Sequence, residues 1–143
     1  MEKRRLTVES VIEELDENGI ADSCERSKNT YIADLIIKDG AVLLLYSEEQ
    51  NGAKINVAIT VGKTRLSVRR TGAIESDFVF IEKERTFSLY KIPPYSFDAQ
   101  IFTRKIRGCI TSEGGTLSVL YNMTVGGAEK SVRMKLSLSE VAL

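Results

Sequence analysis

The stretch Lys54 to Arg70, KINVAITVGKTRLSVRR, decides the fold. Ile55, Val57, Ile59 and Val61 alternate with Asn56, Ala58 and Thr60. Gly62-Lys63 interrupts the run, and Leu66 and Val68 then alternate with Arg65, Ser67 and Arg69. Period-two alternation on both sides of a glycine turn predicts a β-hairpin with one buried face. The same phase runs on past Val68 and sets Arg70 on the buried side, so the hairpin ends with a guanidinium pointing inward.

Working outward, turn signals recur along the chain: Asn18-Gly19, Asp39-Gly40, Asn51-Gly52, Gly114-Gly115 and Gly126-Gly127. Between them lie strand-like runs. Leu6 to Leu15 has strand composition with a broken phase, Leu6 and Val8 on one face and Val11 and Leu15 on the other; a bulge near Ser10 reconciles them, and a helix over Val8 to Asp16 is the alternative. Ile20 to Lys38 is long, and its polar first half suits an edge or a mouth. Ala41 to Glu49 is apolar on both faces up to Leu45, which predicts a covered outer side. Asp77 to Ile81 and Thr86 to Tyr90 are short. Pro93-Pro94 cannot donate to a ladder and marks a corner. In Tyr95 to Thr111, Phe97, Ala99 and Ile101 share one phase and Phe102, Ile106 and Ile110 the other, which calls for a bulge or bend. Leu117 to Val125 and Val132 to Leu138 alternate without a break. Turns every 10–12 residues or so are the spacing of a sandwich or barrel. About ten antiparallel strands in chain order fit an up-and-down barrel, which removes exposed edges.

Composition narrows the function classes. The 143 residues are read as one domain, residues 1–143, long enough for a substantial core. Twenty basic and twenty acidic residues cancel, giving no global attraction to nucleic acid or acidic membranes. The chain has no histidine, which removes imidazole metal ligands and histidine-based triads. No metal or other cofactor is expected. Gly62-Lys63-Thr64 matches the end of a phosphate loop, but the upstream glycine is missing and no helix follows, so it reads as a turn. Cys24 and Cys109 form no secreted-type framework and are read as buried free thiols. The N-terminus has basic residues without an apolar run, and no stretch is long enough to span a membrane. The expected location is the cytoplasm.

Four segments, VLLLYSEEQNG (Val42 to Gly52), VRRTG (Val68 to Gly72), YKIPPYSF (Tyr90 to Phe97) and GGTLSVLYNMTVGG (Gly114 to Gly127), occur in this order. Together they resemble the YwiB-like family of small uncharacterised proteins of low-GC Gram-positive bacteria, over roughly Val42 to Leu143. Tyr46, Glu48 and Glu49, then Arg70 and Gly72, then Tyr121 match its motifs. Where that family has an aromatic residue followed by glycine, this chain has Pro93-Pro94-Tyr95-Ser96, and the lipocalin Gly-x-Trp signature is absent. The resemblance implies an all-β, single antiparallel calycin-like (lipocalin-like) barrel of about ten strands, two of them long and bent. It implies no substrate, because the family has no established activity.

Alternation places Tyr46, Glu48, Arg70 and Tyr121 on inner faces, and they are the candidate ligand-binding residues. An unpaired guanidinium inside a barrel is very costly, so Arg70 needs partners. Either it pairs with Glu48 and a tyrosine hydroxyl as a plug, or it anchors a ligand carboxylate or phosphate. Adjacent Glu48 and Glu49 point to opposite faces and cannot form a glycosidase pair. Arg65, Arg69, Arg104, Lys105 and Arg107 are candidates for an outer patch, without the aromatic interleaving of a nucleic-acid site. The leading expectation is non-enzymatic binding of a small apolar or amphipathic ligand in the interior. The rivals are a protein-interaction module with a filled core, including a homodimer, and an enzyme acting at the barrel mouth.

Overall fold

The structure is a computed structural model that describes residues 2–141, apart from the side chain of Asp22. Ten strands follow one another: β1 Glu2–Leu15, β2 Ala21–Lys38, β3 Ala41–Gln50, β4 Ala53–Val61, β5 Leu66–Gly72, β6 Ser76–Phe80, β7 Arg85–Ile92, β8 Tyr95–Thr111, β9 Gly114–Val125 and β10 Ala128–Glu140. They form one antiparallel sheet in the order β6-β5-β4-β3-β2-β1-β10-β9-β8-β7. The order is up-and-down, with the first and last strands paired, so the seam lies in mid-chain between β6 and β7. A bridge between Glu75 and Lys91 draws that seam together and makes a nearly closed barrel. No helix occurs among the described residues, and hence none long and apolar enough to cross a membrane.

The opening hairpin forms where alternation puts it. Ile55, Val57, Ile59, Leu66 and Val68 are buried, and their neighbours in sequence point outward. Leu6, Leu44, Ile101, Val119 and Leu136 are also at most 1% exposed, so the middle of the barrel is filled by side chains from six or more strands. Each such burial is worth roughly 1.5–3 kcal/mol.

β2 and β8, with 18 and 17 residues, are the two longest strands. β8 carries a register shift between Thr103 and Lys105. The phase switch expected in this segment is that shift: Ala99, Ile101 and Thr103 face inward before it, Ile106 and Ile110 after it. In β2 only Asp34 to Lys38 pair with β3, whereas the pairing with β1 runs back to Ala21. The polar half of β2 therefore has an open edge, and closure is incomplete there as well as at the seam.

Several expectations are corrected. β1 has no bulge near Ser10; one phase carries Leu6, Val8 and Ile12 inward, and the register shifts only at Glu14/Leu15. Val11 and Leu15 simply lie on the outer face. Gly114-Gly115 is not the turn but the start of β9, and Ser112-Glu113 makes the connection. Gly115 is needed because φ is +132° and a Cβ would fall 2.2 Å from the Cys109 carbonyl oxygen. Cys24 and Cys109 are free thiols, but both are exposed, because their phases point outward. Among the described residues no element covers the outer side of β3; Leu43 and Leu45 are half-buried.

Candidate functional site

Hydrophobic alternation brings the predicted polar residues together in the upper half of the barrel, toward the β3–β4 and β5–β6 connections. Tyr46, Val57, Arg70 and Ser76 occupy one row across β3, β4, β5 and β6. Glu48 lies one step higher on the same face of β3, opposite Ile55. The Arg70 side chain crosses β4 to reach it, with Nε 3.5 Å from Glu48 Oε1. This is an ion pair without hydrogen-bond alignment, and Glu48 Oε1 is buried with no hydrogen-bond partner among the described residues. The two side chains are 26% and 25% exposed, so water still reaches the pair. Gly72, opposite Ile55, has φ +110°, and a Cβ there would meet the Lys54 carbonyl oxygen at 2.6 Å.

Tyr31 completes the cluster and was missed in the sequence. It alternates with Ala33 and Leu35, so its inward phase was available from the β-rich half of β2. Its ring centroid lies 4.5 Å from that of Tyr46, bridging the place where β2 parts from β3. Tyr121 stands on β9 across the interior, with its ring 4.7 Å from Phe80. Burial raises all three phenol pKa values, and the Glu48 carboxylate adds to the effect on Tyr31 and Tyr46. Tyr121 is pushed up to about 12 by burial, although the Arg70 charge pulls the other way. An unfolded tyrosine ionises near 10. The stability that Tyr121 contributes is therefore complete below about pH 10 and is lost as pH rises through its folded value.

The opposite, lower end has a different character. A cavity of about 360 Å³ opens between the β2–β3 and β4–β5 connections and the lower part of β8. Its floor is core: Val42, Leu66, Ile110 and Leu117. Lys63, Arg65 and Glu82 stand at its rim. Gly108 forms part of the wall, with φ +93° and only 2.2 Å between a hypothetical Cβ and the Thr116 carbonyl oxygen. A side chain is barred there by the backbone of β9. Gly62-Lys63-Thr64, read from the sequence as a turn, lies at this end and lines the cavity.

The predicted basic patch divides. Arg65 is at the lower rim, Arg69 lies on β5 opposite Asp77, and Arg104, Lys105 and Arg107 lie on β8. Among the described residues, no group of His, Cys, Asp or Glu is arranged to hold a metal ion.

A family described as "Domain of unknown function (DUF1934)" matches residues 8–138. The chain belongs to this family. It is 27% identical over 94 residues to the "Uncharacterized beta-barrel protein YwiB" of Bacillus subtilis (strain 168), an alignment covering 66% of each chain, so the matched part spans just under two thirds of that relative. The crystal structure of the ywiB protein from Bacillus subtilis superposes with a TM-score of 0.80 at 23% identity, over 99% of this chain and 93% of that one. The recognised resemblance and the all-β barrel both stand, and the family description assigns no activity.

Proposed function

We propose that this protein is a non-enzymatic, cytoplasmic binding protein that takes a small amphipathic anion at the lower end of its barrel. The cavity of about 360 Å³ carries the reading. Cavities of roughly 300–1,000 Å³ with apolar walls and a few placed polar groups suit small molecules. Its floor would hold an apolar tail, while Lys63 and Arg65 offer positive charge to a carboxylate or phosphate. The two exposed free thiols favour a reducing compartment. Reading the single sheet as one calycin-like domain agrees with a ligand held at a barrel end. The site differs from the Arg70 cluster, which the sequence left as either a plug or a ligand anchor: Arg70 already has a carboxylate beside it, whereas Lys63 and Arg65 make no ion pair among the described residues.

The test is a titration with a fluorescent medium-chain carboxylate and its neutral amide. Both probes should bind, the carboxylate more tightly. Val61→Trp, which fills the cavity from a half-buried wall position, should abolish binding of both while circular dichroism remains β-rich. Lys63→Glu with Arg65→Glu should remove the preference for the anion. Binding that survives Val61→Trp, or no binding at all, overturns the reading.

One observation favours the interaction-module alternative. Phe87, Leu89, Tyr95 and Phe97 are all exposed on the β7–β8 hairpin, Phe87 by 73%. Exposed apolar patches mark contact surfaces, and failure of both probes would make docking of a second copy on this hairpin the leading reading.

A further inference from the structure

The wall formed by β8, β9, β10, β1 and β2 carries a feature that the ligand cavity does not use. On its outer face Val11 pairs with Arg26 on β2 and with Arg133 on β10. Arg133 pairs in turn with Leu120 on β9. Two long guanidinium side chains thus flank a short valine, and the short residues leave a hollow between them. The β8 register shift supplies a third arginine. Arg104 is the residue omitted from the ladder between Thr103 and Lys105. Bulges re-aim side chains, and this guanidinium crosses β9 to donate from Nη2 to Ser131 Oγ on β10 at 3.1 Å. Arg26, Arg104 and Arg133 consequently line one hollow of about 300 Å³, with Val11 and Leu120 in its floor and Glu13 at its side. Among the described residues none of the three arginines makes an ion pair. Three like charges around one space, with Glu13 as the single carboxylate at its side and no ion pair formed, leave a net positive charge there, and an anion in that space relieves the repulsion.

We propose that this hollow is a binding site for a phosphate group carrying two or more negative charges on a small molecule. Arginine suits this role because its planar fork donates two parallel hydrogen bonds to phosphate oxygens. Arg104 approaches from β8, Arg133 from β10 and Arg26 from β2, so three directions of approach meet the several oxygens of one phosphate. Glu13 opposes the anion and limits affinity, which excludes weakly charged oxyanions first. The site is outside the barrel, on a different wall from the lower-end cavity, and stands or falls independently of it.

Pyrophosphate is the probe, measured by isothermal titration calorimetry in a phosphate-free buffer at low salt, with sulfate and a short single-stranded oligonucleotide as comparisons. Pyrophosphate should bind, and sulfate should bind clearly more weakly. Removing a charge-assisted hydrogen bond costs roughly tenfold or more in affinity, so Arg104→Gln, Arg26→Gln and Arg133→Gln should each weaken pyrophosphate by about that factor. Arg104→Lys should fall between wild type and Arg104→Gln, because it keeps the charge and loses the fork. Glu13→Gln should strengthen binding, and Lys54→Gln, exposed on β4 away from the hollow, should leave it unchanged. All of these arginines are exposed, so folding is not at risk. Absence of pyrophosphate binding overturns the proposal. So does equal binding of pyrophosphate and sulfate that ignores Arg104→Gln, which is diffuse charge attraction. Tighter binding of the oligonucleotide, weakened by Lys105→Gln or Arg107→Gln but not by Arg26→Gln, also overturns it and assigns the wall to nucleic acid.

Discussion

The barrel closes at two junctions that could hardly differ more. β1 meets β10 over eleven paired residues, from Arg4↔Glu140 to Glu14↔Lys130. β6 meets β7 through one bridge, Glu75↔Lys91. The rest of the second junction is stitched by side chains: Thr86 Oγ1 donates to the Val79 carbonyl, and the Asp77 N–H donates to Ser88 Oγ at 3.1 Å. The strong junction joins opposite ends of the chain, and the weak one joins near neighbours in sequence. A physical reason lies in β8. The Lys83 N–H donates to the Thr103 carbonyl at 2.7 Å, and the Thr103 N–H donates to the Glu84 carbonyl at 3.2 Å. The connection after β6 is thus captured by β8, β7 follows it, and β6 stays with β5. Proximity in sequence does not secure a junction; an uninterrupted ladder with a buried face does.

The largest effect should come from attacking the strong junction. Leu6 is fully buried and pairs with Leu138 on β10 and Tyr31 on β2. Leu6→Ala should cost about 2–5 kcal/mol, the usual range for a buried leucine. Urea denaturation should show it as a lower midpoint with unchanged slope. A loss below about 1 kcal/mol would mean that the site collapses easily and that this junction owes little to its core face.

Leu6 also shows what was legible in the sequence. Wherever alternation ran unbroken, as in Ile55 to Val68 and Leu117 to Val125, strand, phase and partner were all readable, because period two fixes which side chains face inward. The phase switch in Tyr95 to Thr111 was readable for the same reason. Tyr46, Glu48 and Arg70 could be brought together from phase alone. The seam could not, since neither β6 nor β7 carries a mark that distinguishes a paired edge from an open one. In β1, Val11 and Leu15 are apolar residues on an outer face, and they mimicked a broken phase. The lower cavity and the arginine hollow were invisible because both are assembled from strands distant in sequence, which phase within one strand does not bring together.

An intermediate effect belongs to the Arg70–Glu48 pair, which adjoins the weak junction because Arg70 pairs with Ser76 at the start of β6. Exposed ion pairs contribute roughly 0.2–1 kcal/mol, and breaking a fully buried pair from one side costs about 3–5 kcal/mol. These side chains are about a quarter exposed, which places the expected coupling between those limits, at about 1–2 kcal/mol. A double-mutant cycle of Arg70→Met with Glu48→Gln measures it. Coupling within ~0.5 kcal/mol of zero, the scatter of independent sites, would free Arg70 from the plug role and restore it as a ligand anchor.

The smallest change in global stability should come from the hydroxyl stitches, and it gives the sharpest separation of the two junctions. Thr86→Val removes the donor to the Val79 carbonyl, and Ser88→Ala removes the acceptor for the Asp77 N–H. A neutral hydrogen bond contributes about 0.5–1.5 kcal/mol net. The lower part of that range applies to Ser88→Ala, because its bond is solvent-exposed and water can replace the lost acceptor. Native-state amide exchange should respond more clearly than denaturation does. Local opening needs only the bonds of the opened segment to break, so exchange in β6 and β7 should accelerate in both variants, most at Asp77 in Ser88→Ala. Leu6, Val8 and Leu136, in the ladder of β1 with β10, exchange through larger openings and should change only as much as global stability does. Equal acceleration at the two junctions would show that the barrel opens as one cooperative unit, and the distinction between its strong and weak closures would then disappear.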